Sequence, residues 1–393
     1  MTKRIYFDYN ATTPLSEEVL AFYTDTLKEY ANASSLHEDG RRSAELIKKA
    51  RSQVASLIHA PDAADILFTS GGSESNNTVF NTMIAAGEKR NNKFIAVSAI
   101  EHPCVLESAK KLQNCGFTVE FLPVDCDGII DDAAYRAALE KKPLLVSIMA
   151  ANNEIGTIQD IPFLAERAHK AGALFHTDMV QACGKIPVDV AAWDVDYATV
   201  SAHKIYGPKG IGALYVKKGA PIEPLIRGGH QEHGLRAGTY NVPAIAAFGY
   251  ASELALQNLS SYASLTGELR RLLRDGLLER IPDIKINGHA ERVLPNTLDV
   301  SFPGAEGEAI LLHLDLLGFA ASTGSACASG SLEPSHVLMA TGMGAELAHG
   351  SIRFSLGMGS TKEDVQALLD MLPPVIDKLR KMSTLSGAEA VRA

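Results

Sequence analysis

Short apolar runs recur along the first half of the chain, at Ile66–Thr69, Phe94–Ser98, Thr118–Val124, Leu144–Met149, Ala173–Thr177, Tyr197–Ser201 and Gly212–Val216. Segments with apolar residues at three- and four-residue steps, Gly40–Ile58, Glu107–Cys115 and Pro162–Ala171, alternate with several of them. Unbroken apolar strands are buried on both faces. The alternation therefore predicts an α/β fold, a mainly parallel sheet sandwiched by helices. Beyond about residue 255 the character changes. Leu-rich helical stretches, Leu254–Ile281 and Lys362–Met382, flank short strands near Asn296–Ser301 and Ser351–Ser355. This predicts a smaller α+β domain. Ile5–Asp8 is a short strand without a local partner and is expected to fold back onto it. The expected boundaries are 13–255 for a large domain, and 1–12 with 256–393 for the small one. Thr384 to Ala393 have no core pattern and are expected to fray.

Several classes are excluded early. Lys+Arg 37 against Asp+Glu 46 gives a net charge of −9, with only 6% aromatic residues, so no basic nucleic-acid surface with stacking platforms is expected. No apolar run approaches the ~20 residues of a membrane helix. The N-terminus MTKRIYFDYNATTP has two basic residues but no apolar core behind them, so no signal peptide is expected. The five cysteines, Cys104, Cys115, Cys126, Cys183 and Cys327, form no CxxC pair. That pattern suits the reducing cytoplasm and predicts neither a disulfide framework nor a resident metal. Cys104, Cys115, Cys126 and Cys183 are expected to be small apolar filler. Cys327 differs. It sits in Ala320–Ser331, AASTGSACASGS, a stretch with little to pack, expected to be a mobile loop.

Four signals carry chemistry. The strand ILFT runs into Ser70-Gly71-Gly72-Ser73 and then a helical pattern, which gathers backbone N–H groups and a positive helix end into an anion cradle. No Gly-Lys-Ser/Thr follows, so it is not a Walker loop. The strand YATVSA ends in His203-Lys204, and a lysine at a strand's C-terminal edge points into the ligand crevice, where it can serve as a Schiff-base amine. The strand ALFHT ends in Asp178, placed one strand–helix–strand unit before Lys204, where a carboxylate can keep a pyridinium nitrogen protonated. Glu101-His102 follows another strand and offers an imidazole to stack on a ring or shuttle protons. Asn152-Asn153-Glu154-Ile155-Gly156 follows a further strand, ending in SIMA. Together these are the parts of a pyridoxal-phosphate site.

The segments TSGGSESNN, IEHPC, NNEIGTIQD, HTDMVQACGK, VSAHKIYGPKG, GGHQEHGLRAGTYNVP, STGSACASGSLEPSH and SIRFSL resemble the cysteine desulfurases, fold-type I pyridoxal-phosphate enzymes. The likeness runs from about residue 4 to residue 375, to the NifS and IscS branches, with the SGSLEPSHVL stretch closer to NifS. It implies that Lys204 holds the cofactor, Asp178 pairs with the ring nitrogen, Gln181 with the ring hydroxyl, and His102 stacks on the ring. Gly72, Ser73, Ser201 and His203 would hold the phosphate, and Thr239 would reach the phosphate of the other subunit of a homodimer. Asn153, also near the cofactor, and Arg353 would bind the substrate carboxylate, the arginine fork pairing with it bidentately. The implied reaction converts L-cysteine to L-alanine and leaves a persulfide on Cys327. The sulfur would pass to an iron–sulfur scaffold or another acceptor, including for nitrogenase maturation, and Cys327 could transiently ligate a cluster shared with that scaffold. A selenocysteine lyase or an aminotransferase would share every motif except the need for Cys327. Ala150 and Ala151 replace bulkier residues common in the family and are expected to alter pocket shape.

Overall fold

The computed structural model describes residues 4–323 and 333–382. Its strands are β1 (Ile5–Tyr6), β2 (Ile66–Thr69), β3 (Phe94–Ser98), β4 (Thr118–Leu122), β5 (Leu145–Ser147), β6 (Leu174–Asp178), β7 (Tyr197–Ser201), β8 (Gly212–Val216), β9 (Lys285–Asn287), β10 (Thr297–Ser301), β11 (Phe319–Ala320) and β12 (Ser351–Ser355). Seven of them form one sheet in the order β2-β8-β7-β6-β5-β3-β4. From β7 to β4 every neighbouring pair is parallel, and β8 runs antiparallel between β2 and β7. The fold is thus the α/β class expected, a mainly parallel sheet covered by helices.

The strand sequences account for the two covered faces. Successive side chains point to opposite sides of a strand. Along β3, Ala96 enters one core while Ile95 and Val97 enter the other, and along β8, Ala213 and Tyr215 separate from Leu214 and Val216 in the same way. Helices Glu38–Leu57, Ile161–Lys170 and Val242–Gln257 cover the first face with Ile47, Val54, Leu164 and Phe248. Helices Gly72–Arg90 and Pro103–Gln113 cover the second with Val79, Phe80, Met83, Val105 and Leu112. A separate core gathers helices Leu259–Arg280 and Lys362–Met382 on the antiparallel sheet β12-β10-β9. Phe7 is buried in that core, and β1 pairs in parallel with β11, so the N-terminal segment does return to the C-terminal part.

Three expectations are corrected. No α-helix separates β6 from β7. The chain turns back after one coil, because Gly184 adopts φ +72° and Pro187 follows it, a combination that ends a helix. The long pattern Leu254–Ile281 is two helices, Val242–Gln257 and Leu259–Arg280, with Asn258 ending one and opening the other. Among the cysteines, Cys183 is core filler as expected, but Cys126 is exposed on a turn after β4.

Helices Glu38–Leu57 and Val242–Gln257 touch at Gly249, where an added Cβ would sit 2.4 Å from Ala50 Cα. Gly249→Val is expected to lower the unfolding free energy by about 1–3 kcal/mol, because a packed backbone contact cannot admit a branched side chain without shifting. The shift of the urea midpoint measures it, and an unchanged midpoint would refute this reading of the contact.

Candidate active site

The C-terminal ends of β7, β6, β5 and β3 lie side by side, and each delivers a residue singled out from the sequence. Lys204 follows β7, Asp178 ends β6, Asn153 follows β5, and His102 follows β3. Ligands of open α/β sheets bind along this edge.

Lys204 Nζ donates to the carbonyl oxygens of Asn10 and Ala11, the latter at 2.7 Å. Gln181 Nε2 donates to the same Asn10 carbonyl at 3.0 Å. Asp178 is buried, and its two oxygens accept from Asn76 Nδ2 (2.7 Å) and from the Val180 backbone N–H (2.9 Å). Each oxygen keeps a lone pair for a further donor. His102 caps helix Pro103–Gln113, its Nδ1 accepting from the Cys104 N–H at 3.2 Å. Burial lowers the His102 pKa, Lys204 adds to this and Asp178 opposes it, so the ring is neutral near pH 7. Cys104, expected as filler, instead touches the site, with Sγ 3.0 Å from His102 Nδ1 and accepting from Asn76 Nδ2 at 3.2 Å. Burial pushes its thiol up to about 12, which keeps it un-ionised.

A cavity of about 410 Å³ adjoins Lys204, lined by Thr12, Ser70, Gly72, Ser73, Ser201, His203 and Lys209 among others. It opens at the N-terminus of helix Gly72–Arg90, where the capping residue is Gly71 at φ 153° and no side chain caps the free N–H groups. Gly72 keeps this wall low: a Cβ there would lie 3.1 Å from Val180 Cγ2. Behind it, a Cβ on Gly212 would meet Gly71 Cα at 2.7 Å, so helix start and β8 approach with backbone alone. Glu74, also in the lining, is neutralised by Arg236 through Nε (2.9 Å) and Nη2 (3.2 Å). His203 is held to about 4 by burial and by Lys204 and Lys209. Hydroxyls, an ammonium and a bare helix start form a donor set that fits a phosphate ester. Amine, carboxylate and neutral imidazole on the adjoining edge fit the aldehyde, nitrogen and face of a pyridine ring. The residues present therefore fit pyridoxal phosphate.

Arg353 is only 2% exposed, so it is not a surface ion pair. Its Nη2 donates to Asp8 Oδ1 (2.8 Å) and its Nη1 to the Asn153 carbonyl (3.0 Å), while Nε has no partner among the described residues. Glu154 and Asp299 are buried nearby. Burial raises the Glu154 pKa, and burial pushes Asp299 up to about 7, against the hydrogen bond from Asn287 and with help from Glu154. Ser322 pairs with Arg353 through the backbone, and Ser335 Oγ donates to Glu154. Cys327 lies outside the described residues. Thr239 does not line the cavity beside Lys204 but an adjoining one of about 260 Å³, which shares Ser70 and Gly210 with it. Ala150 and Ala151 are buried in the large core. Asn10, Asn76 and Lys209 belong to the site without having been given a role from sequence; the polar run after Ile5–Asp8 was the only hint of Asn10.

The folded state holds the Asp299 proton (to about 7) more tightly than the unfolded chain, where an aspartate titrates at its ordinary value of 3.8. The parent therefore loses stability as pH rises through that window and stays lower above it. Asp299→Asn cannot ionise, so its stability relative to the parent is expected to rise from about pH 4 to about pH 7 and then level off, as read from urea midpoints. A pH-independent difference would contradict the raised value.

Residues 5–368 match the family model for aminotransferase class-V. A cysteine desulfurase of Cereibacter sphaeroides is 47% identical over 392 residues, covering 99% of this chain and 100% of the relative. A cysteine desulfurase IscS of Dictyoglomus turgidum is 48% identical, covering 98% and 97%. Among solved structures, a NifS-like protein superimposes with a TM-score of 0.87 at 39% identity, over 95% of this chain and all of the other. A match of this extent, on a chain whose sheet edge already fits the cofactor, shows that the protein belongs to the aminotransferase class-V family, among its cysteine desulfurases.

Proposed function

We propose that this site takes sulfur from L-cysteine, releases L-alanine, and passes the sulfur from Cys327 to an acceptor protein. The observation that supports this reading is the convergence of Lys204, Asp178 and a donor-lined cavity of about 410 Å³ along one sheet edge. Lys204 holds the cofactor aldehyde, and Asp178 keeps a proton on the ring nitrogen. Gln181 would donate to the ring hydroxyl, and His102 would lie against the ring. Gly72, Ser73, Ser201 and His203 hold the phosphate. Bound pyridoxal phosphate supplies an electron sink for charge developing at the amino acid Cα. Arg353 and Asn153 orient the substrate carboxylate. With a substrate amine bound, the Lys204 amine would be the base that takes the Cα proton.

The Cys327 thiolate then attacks the substrate sulfur. An S–S bond forms as the Cβ–S bond breaks, and the released electron pair stays on the three-carbon remainder, which leaves as alanine after protonation. A thiol with pKa near ~8.5 is mostly protonated at neutral pH, so a base must take its proton. His102, neutral through burial, is suited to accept it. Ser322 and Ser335, close to the described ends on either side of this segment, contact Arg353 and Glu154, which favours Cys327 working at this site.

The proposed acceptor is an iron–sulfur scaffold or another sulfur-accepting protein, with nitrogenase maturation as one destination. The enzyme works in the cytoplasm as a homodimer, Thr239 serving the phosphate of the other subunit. No described helix is long and apolar enough to cross a membrane.

Lys204→Ala is expected to abolish the visible absorbance of the reconstituted protein. Cys327→Ser should keep that absorbance and lose the persulfide, an added ~32 Da at residue 327 in the parent, together with at least about a hundredfold of alanine production from cysteine. A serine variant that still forms alanine at the parental rate overturns the assignment and favours a lyase that needs no loop thiol.

A further inference from the structure

Lys185 is among the largest fully buried side chains of the protein. It follows the turn at Gly184, and its amine reaches the site from behind. Nζ donates to Gln181 Oε1 at 2.5 Å and to Asn10 Oδ1 at 3.0 Å. Both acceptors are neutral amides. A neutral amine has two N–H donors, which matches two acceptors, whereas a buried ammonium without a carboxylate is costly. Burial lowers the Lys185 pKa well below its ordinary value, and Lys204 and Arg353 push the same way.

We infer that Lys185 is a positioning residue, a buried amine that fixes which end of the Gln181 carboxamide faces Lys204 and that locks Asn10 beneath it. This rests on the proposed attachment of pyridoxal phosphate to Lys204. A carboxamide has nearly equal ends, and only its partners decide which one points where. Lys185 occupies Gln181 Oε1, so Nε2 is the end left for the site, and it donates to the Asn10 carbonyl at 3.0 Å. Lys204 Nζ donates to that same carbonyl. Gln181 Nε2 and Lys204 Nζ are therefore neighbours around one oxygen. A pyridoxal group joined to Lys204 carries its phenolic oxygen on the ring carbon next to the linkage. That oxygen meets an N–H donor while Lys185 is in place, and a carbonyl oxygen if the amide turns over.

Asn10 is fixed by the same amine. Its Oδ1 accepts from Lys185 Nζ and from Asn296 Nδ2, each at 3.0 Å, which leaves Nδ2 to donate to the Asn153 carbonyl (3.1 Å) and Thr297 Oγ1 (2.9 Å). The ionisable groups around Lys185 come from each neighbouring element. They are Lys204 and His203 after β7, Arg353 on β12, and, around a cavity of about 50 Å³ that both lysines line, Tyr206, Tyr262 and Glu18.

The test is a spectrophotometric pH titration of the lysine-linked cofactor in the absence of substrate. Lys185→Met keeps the length and removes both donors. The protonation midpoint of the chromophore is expected to rise by about one pH unit, a tenfold tighter proton, because the phenolic oxygen loses its fixed N–H partner. Lys185→Gln, which can satisfy one acceptor, should shift it by less, and it gives the same reading if the methionine variant does not fold. A midpoint that stays or falls in a variant that still binds the cofactor overturns the inference, and a drop in melting temperature alone counts as that outcome. If the parent itself forms no visible chromophore, the attachment at Lys204 fails first, and the two failures are told apart.

Discussion

Asn10 is 1% exposed, yet its backbone N–H, backbone carbonyl and side-chain amide are all engaged. Its carbonyl receives Lys204 and Gln181 from the large sheet, and its N–H and amide reach Ser355, Thr297 and Asn296 in the part built on the second core. One short N-terminal segment thus ties the sheet edge that presents the lysine to the strands that present Arg353. Leaving any of these buried groups unpaired would cost about 1–3 kcal/mol each. The arrangement is therefore kept whole, and the distance between lysine and arginine is set by a residue that takes no part in bond making.

Two ionisable groups buried close to this centre are held toward their neutral forms. His176, two residues before Asp178, is held to about 3 by burial and shares a hydrogen-bond contact of 2.8 Å with Ser147 Oγ. Burial also raises the pKa of Glu101 well above its ordinary value, with Asp178 adding to it. Burial thus disfavours the charged forms of both His176 and Glu101, so neither competes with the charged groups at the sheet edge.

The strands of the large sheet were legible because each is a short apolar run feeding two covered faces. The four edge residues were legible because each lies at the end of such a run or within a few residues of it. Asn10, Asn76 and Lys185 were not, since their partners lie far away in the chain and polar pairing at long range leaves no periodic trace. The absence of a helix between β6 and β7 was hidden by the usual strand–helix rhythm, although Gly184 and Pro187 carry the signal. The break at Asn258 was masked because leucine spacing continues across it. Thr239 came from family likeness alone, and a single chain places it beside the cavity of about 410 Å³ and not in it.

The meeting of Gly212 with Gly71 involves no polar atom and no side chain, yet it sets how far the start of helix Gly72–Arg90 stands from the strand behind it. A phosphate ester held in the adjoining cavity would thereby be gripped in part from a position that never meets it. Even one methyl group there would push the helix start and the strand apart, so the width of that cavity can change while every hydrogen-bonding residue around it stays the same.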